Sequence, residues 1–279
     1  MTSGFSNCRA LAIRLDTIFK TLKSRMQQHK QYQFGLRTLV SCIRVACTKR
    51  LNSELSDSTD ETILYDSITQ IWLPRLDIAD RNIFTSIIGH YFSTVSDLPK
   101  HDMDLETCVR EFASAEGLGH ILVKKVLQLN ELLESSRATI VLGKPGSFKT
   151  ATWKLLAKVK NHLASKSLNQ RSITTSVINP KAFQSEDLFG GFTTLSEDDQ
   201  KWSNGILHDL IVKFATDSKR IHWLVLDGPL DPTWSESLNT ALDDSRILSV
   251  GNGQRVPIPL NVRIIFETDS VTRTSVRYI

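Results

Sequence analysis

Residues 138–154, ATIVLGKPGSFKTATWK, constrain this chain more than any other stretch. A short apolar run, ATIVL, is followed by a loop carrying Gly143, Pro145 and Gly146, then by a helix-like segment from Lys149 to about Ala164. Three more strand-like runs follow: ITTSVIN (173–179), IHWLVLD (221–227) and VRIIFE (262–267). The second of these is nearly continuous in apolar residues, as strands buried on both faces are. A helix is expected over roughly 234–242, and Asn252-Gly253 between β-type runs predicts a tight hairpin. Strands alternating with helices predict an α/β domain built on a parallel sheet.

The part before Arg137 has a different character. Leu11, Leu15, Ile18, Leu22 and Met26 recur at helical spacing, so 8–27 reads as an amphipathic helix, and a second helix is expected from Phe34 to Cys47. LNSELSDSTDET (51–62) is acidic and polar and reads as a solvated loop, after which 63–135 is again helical. A helical region therefore precedes the sheet domain.

GKPGSFKT (143–150) differs at one position from the phosphate-loop pattern G-x-x-x-x-G-K-[ST]: Phe148 stands where glycine is required. Such a loop binds anions because backbone N–H groups and a helix N-terminus converge after a strand. Gly143, Lys144, Pro145, Gly146 and Ser147 form the candidate cradle. Lys149 would meet the β- and γ-phosphates, and the Thr150 hydroxyl would ligate Mg²⁺. A Cβ at 148 must either strain the loop or crowd the phosphates. The octapeptide alone leaves open an ordinary strand-to-helix turn with an ordinary lysine.

Asp227, ending an apolar strand 78 residues after Lys149, is the second element. An aspartate there holds Mg²⁺ in phosphate-loop enzymes. Thr150 and Asp227 are thus the metal candidates. Next comes Gly228, which has no side chain to orient an attacking water, and the following strand ends in Glu267, a carboxylate that would repel a γ-phosphate. The groups for ground-state binding are present and two transition-state groups are missing. ATP or ADP with Mg²⁺ would be held without turnover, and no catalytic residue is assigned.

Composition excludes several other classes. No stretch of about 18 uncharged apolar residues predicts a membrane span, and no secretory signal opens the chain. Cys8, Cys42, Cys47 and Cys108 show no zinc spacing and read as reduced, mostly buried thiols. The net charge of +4 conceals an imbalance: residues 1–50 hold ten Lys/Arg against Asp16 alone. Without interleaved aromatics or a groove-reading motif, that basic face predicts a solvated or acid-facing surface, and no nucleic-acid partner.

Several stretches taken together resemble one family: GKPGSFKTATWK (143–154), INPKAFQSEDLFG (178–190), WSNGILHDL (202–210), WLVLDGPLDPTWSESLNTALDD (223–244) and NGQRVPIPLNVRIIFET (252–268). This set is similar to the second AAA+ module of dynein heavy chains, the cytoplasmic form in particular. GFSNCRALAIRLDTIF and YQFGLRTLVSCIRVACTKR (32–50) resemble the small helical lid that ends the first module. The resemblance implies a lid over 1–50, a helical connection over 51–135 and a P-loop AAA+ large subdomain over 136–279. It implies that Arg37, in Gly35-Leu36-Arg37, reaches the neighbouring module's ATP site.

It further implies a second module that binds nucleotide without hydrolysing it, within a motor moving along microtubules. The partners would be flanking AAA+ modules, accessory chains and, through parts not in this sequence, microtubules; the setting would be cytoplasmic and cytoskeletal. The chain ends at SVTRTSVRYI, before the family's arginine-finger segment, so a fragment is expected, with Arg273 and Arg277 unassigned. Two other readings stay open: an active stand-alone P-loop ATPase, and a pseudo-ATPase scaffold that binds no nucleotide.

Overall fold

The spacing of Leu15, Ile18 and Leu22 becomes one buried side of helix α1 (Cys8–Arg25). The computed structural model describes residues 4–26, 32, 34–52, 59–93, 103–167, 170–196, 199–242 and 245–270. Asn7 caps α1 by accepting the Ala10 N–H, and Lys23 and Arg25 lie in its last turn, where the helix dipole favours cations. Helix α2 (Leu36–Asn52) runs past the expected end at Cys47, since TKRLN contains neither glycine nor proline to stop it.

Helix α3 (Asp60–Trp72) begins inside the expected 51–62 loop, whose centre, 53–58, lies outside the described residues. Thr59 accepts the Thr62 N–H, and Asp60 and Glu61 occupy the first turn. The acids that read as solvent-facing loop are in part a helix start, stabilised by the dipole. Helix α4 (Ile78–Tyr91) completes this unit, which covers residues 1–103. Its core mixes aliphatic and aromatic side chains around Trp72, on which Phe34 stacks at 4.9 Å and Phe19 packs edge-on at 5.8 Å.

Residues 104–278 make the second unit. Strands β1 (Ala138–Leu142), β2 (Ile173–Ile178), β5 (Ile221–Asp227) and β8 (Val262–Thr268) form one parallel sheet in the order β1-β8-β5-β2. All four expected strands are present within a residue at either end. Trp223, Val225 and Ile265 pack with helices α5 (Met103–Ala115), α6 (His120–Ser135) and α7 (Lys149–Lys166). Leu224, Leu226, Ile264 and Phe266 point the opposite way, against α8 (Ser185–Phe189) and α9 (Ile206–Thr216). Both faces are covered over the central strands β5 and β8, which are buried almost throughout, while the edge strand β2 alternates between buried and more exposed residues.

A second hairpin, β3 (Gly190–Ser196) with β4 (Asp199–Asn204), was not foreseen, because GGFTTLS and DQKWSN lack an apolar alternation. Glycine makes it possible: Gly190 sits at φ 105°, and a Cβ on Gly205 would lie 2.3 Å from the Gly190 nitrogen. The helix expected at 234–242 is broken into α10 (Pro232–Ser235), a 3₁₀ turn (236–238) and α11 (Asn239–Leu242). The hairpin around Asn252-Gly253 exists as β6 (Ile247–Ser249) and β7 (Arg255–Pro257), but its connection spans residues 250–254 rather than two residues.

Cys42 is buried, and Cys8, Cys47 and Cys108 are only half-buried, which corrects the expectation that most would be; none of the four is in a disulfide. Among the described residues no helix is long and apolar enough to cross a membrane.

Candidate functional site

Residues 143–148 leave the end of β1 and turn directly into α7. Gly146 has φ 81°, and a Cβ placed there would touch nothing within 4 Å, so this glycine answers a backbone need and not a shortage of space. A Cβ on Gly143 would lie 2.3 Å from Ser147 Oγ, so there space is what matters. Phe148 has φ 62° and ψ 24°, in the left-handed region, and its side chain is 59% exposed. Of the two consequences foreseen for a Cβ at 148, the structure has the strain. The loop keeps the path a glycine would give it, at a cost of about 1–2 kcal/mol. The Thr152 N–H and hydroxyl hold that turn, both donating to the Phe148 carbonyl, at 2.9 and 2.8 Å.

Lys149 and Thr150 occupy the first turn of α7, whose leading N–H groups have no intrahelical acceptor. Lys149 Nζ donates to the carbonyls of Gly143 at 2.6 Å and Lys144 at 3.2 Å, curling across its own loop. The Thr150 hydroxyl donates to Glu267 Oε1 at 2.5 Å, and Trp153 Nε1 donates to Glu267 Oε2 at 2.8 Å. Glu267 is 5% exposed. Strand periodicity explains its direction: two residues beyond Ile265, it projects from the sheet face that α7 covers. The carboxylate expected to face a γ-phosphate instead has both oxygens engaged by α7.

Asp227 lies in register with Glu267 across the β5–β8 pair. Partial burial, then the like charge of Glu267, push its carboxyl above the usual carboxylate range, while Lys149 and Lys154 pull it back. Gly228 donates its N–H to the Glu267 carbonyl at 3.0 Å, and a Cβ there would lie 3.1 Å from Asn179 Oδ1. The structure thus gathers the loop, Lys149, Thr150, Asp227 and Glu267 at the C-terminal edge of the sheet, where open parallel sheets bind ligands. Arg37 falls in the first turn of α2, but its side chain lies outside what is described, as do Arg273 and Arg277.

Trp153 and Lys154 were missed as members of the site. Trp153 follows Thr150 by three residues and so shares its helix face, a signal available in the sequence. Lys154 Nζ lies 5.5 Å from the Trp153 ring centroid and acts on Asp227 through its charge.

These residues fit a magnesium-complexed nucleoside phosphate. The left-handed turns at 146 and 148 present the loop and helix N–H groups to an anion. Lys149, already donating to carbonyl oxygens at the loop, can exchange them for phosphate oxygens.

Residues 1–150 match the family model described as the hydrolytic ATP binding site of the dynein motor region. Residues 138–277 match that of the AAA domain of the dynein-related subfamily. The mouse protein named dynein axonemal heavy chain 2 is 31% identical over 280 residues, covering 98% of this chain and 6% of its own length. The cytoplasmic dynein heavy chain of Fusarium vanettenii is 30% identical over 97% of this chain, and cytoplasmic dynein 2 heavy chain 1 of Caenorhabditis elegans 29% over 97%. This chain spans 6% of each of those two relatives as well.

Proposed function

The chain belongs to the dynein heavy chain family, and from that premise we propose that residues 136–279 form an AAA+ large subdomain that holds ATP or ADP with Mg²⁺ without hydrolysing it. Residues 1–50 would be the lid of a preceding module and 51–135 the connection. Flanking AAA+ modules would be its direct partners, with Arg37 serving the neighbouring site. Accessory chains, microtubules and a cytoplasmic, cytoskeletal setting belong to the whole motor. The module would contribute to ATP-driven movement by occupancy and not by turnover.

The observation that carries this reading is the pair Asp227–Gly228 beside Glu267. Lys149 supplies positive charge, while Thr150 and Asp227 supply oxygens for the metal, which when bound neutralises phosphate charge. Hydrolysis needs in addition an acceptor for the attacking water, worth about 10²–10⁴ in rate. Gly228 has no side chain, and the two oxygens of Glu267 are committed to Thr150 and Trp153.

Single-turnover assays with radiolabelled ATP test this. Nucleotide should be retained intact, and phosphate release at about 1 s⁻¹, within the ordinary enzyme range, would instead support a stand-alone ATPase. Gly228→Glu should give little rescue, because Asn179 must shift before a side chain fits. One observation favours the scaffold that binds no nucleotide: Lys149 satisfies itself on Gly143 and Lys144. Calorimetric titration with Mg-ADP separates the two, since Lys149→Ala should abolish a signal that the scaffold never gives.

A further inference from the structure

Thr150 has one proton to donate, and it is already given to Glu267. What the hydroxyl retains is its lone pairs, made more basic by the carboxylate behind it. In this state Thr150 can serve a cation and cannot donate to a phosphate oxygen. Nor can Glu267 easily turn away. It is buried, its second oxygen is held by Trp153, and its backbone is fixed in β8 between Val141 of β1 and Asp227 of β5. The two carboxylates, paired in register, give this end of the sheet a negative field that opposes an unneutralised phosphate chain.

The geometry points to Glu267 as a positioning residue that makes nucleotide capture dependent on a divalent cation. By holding the Thr150 proton it turns the site towards the magnesium complex of a nucleoside di- or triphosphate and against the metal-free anion. This rests on the nucleotide reading above, and it adds a role for a residue otherwise assigned only an obstructive one. A carboxylate acting through a metal-ligating side chain typically contributes about 10–100-fold to metal affinity.

The test is the dissociation constant of a fluorescent ADP analogue for the 279-residue chain, in excess Mg²⁺ and again in EDTA. In the wild type, EDTA should weaken binding by about 100-fold or more. Glu267→Gln keeps the shape and loses the charge, and the ratio should shrink about tenfold or more, with binding in EDTA improved. A purely structural role would move both constants together and leave their ratio fixed. Should the glutamine variant fail to fold, Glu267→Asp serves, because the shorter carboxylate cannot reach the Thr150 hydroxyl from the same strand position while Thr150 itself is kept, and the ratio should again shrink. Equal wild-type affinity with and without Mg²⁺, or an unchanged ratio in a folded variant, overturns this inference while leaving nucleotide binding intact. No binding in either condition removes the nucleotide reading and the inference together.

Discussion

Phe148→Gly probes the least ordinary piece of backbone in the molecule. A side chain at φ 62° costs about 1–2 kcal/mol relative to the right-handed regions, and glycine removes that cost. Glycine also loosens the unfolded chain, which takes back about 0.5–1 kcal/mol. The ring itself is 59% exposed, so its truncation loses only part of the ~1.5–3 kcal/mol that full burial would contribute. Phe148→Ala loses the same ring contacts and keeps the strain.

The glycine variant should therefore be more stable than the alanine variant by about 0.5–1 kcal/mol. Asparagine, which tolerates the left-handed region, should fall between them. Urea unfolding followed by tryptophan fluorescence reads this order. Alanine equal to or above glycine would mean that the backbone at 148 is not strained. Because the ring faces outward, Mg-ADP affinity should change by less than about threefold, ~0.6 kcal/mol. Tightening of an order of magnitude in the glycine variant would instead place the ring over the phosphates.

Asp227→Asn should raise the melting temperature in metal-free buffer at neutral pH. The folded carboxyl is pushed above its ordinary value of 3.8, so ionisation costs folded stability once the pH rises through that value towards the folded one. The gain should vanish below about pH 3.8 in scanning calorimetry, and a gain of equal size there would refute the charge argument. Trp153→Phe leaves a buried carboxylate oxygen without its donor and should destabilise by about 1–3 kcal/mol in the same unfolding assay. Burial pushes the Cys42 thiol up to about 12, so native protein at pH 8 should leave Cys42 unalkylated by iodoacetamide, with mass spectrometry as the readout.

Much of the fold was legible locally. The runs at 221–227 and 262–268 are central strands buried on both faces, which selects nearly continuous apolar residues, while the edge strand 173–178 was legible from its β-branched Ile, Thr and Val. The helical period of Leu11, Leu15, Ile18, Leu22 and Met26 marked α1. The β3–β4 hairpin was not legible, since its polar sequence is held in place by close approach at Gly190 and Gly205, a contact between distant backbones. The helix expected at 234–242 broke into short pieces that pack into the core on the α9 side of the sheet, a tertiary demand that local propensity does not record.

The sequence by itself determined which residues are candidates for the site: Lys149, Thr150 and Asp227 stand at the spacing of a phosphate loop and its partner strand, and Gly228 brings no side chain to orient a water. Only the tertiary structure decided what Phe148 and Glu267 do. Phe148 strains the backbone with its ring outward because α7 fixes the turn, through Thr152, in a conformation meant for glycine. Glu267 meets Thr150 and Trp153 because strand parity turns it towards α7, 117 residues from one partner and 114 from the other in sequence. Side-chain type can be read from a linear pattern, but direction depends on register and on which helix covers which face, and those exist only once the sheet has assembled.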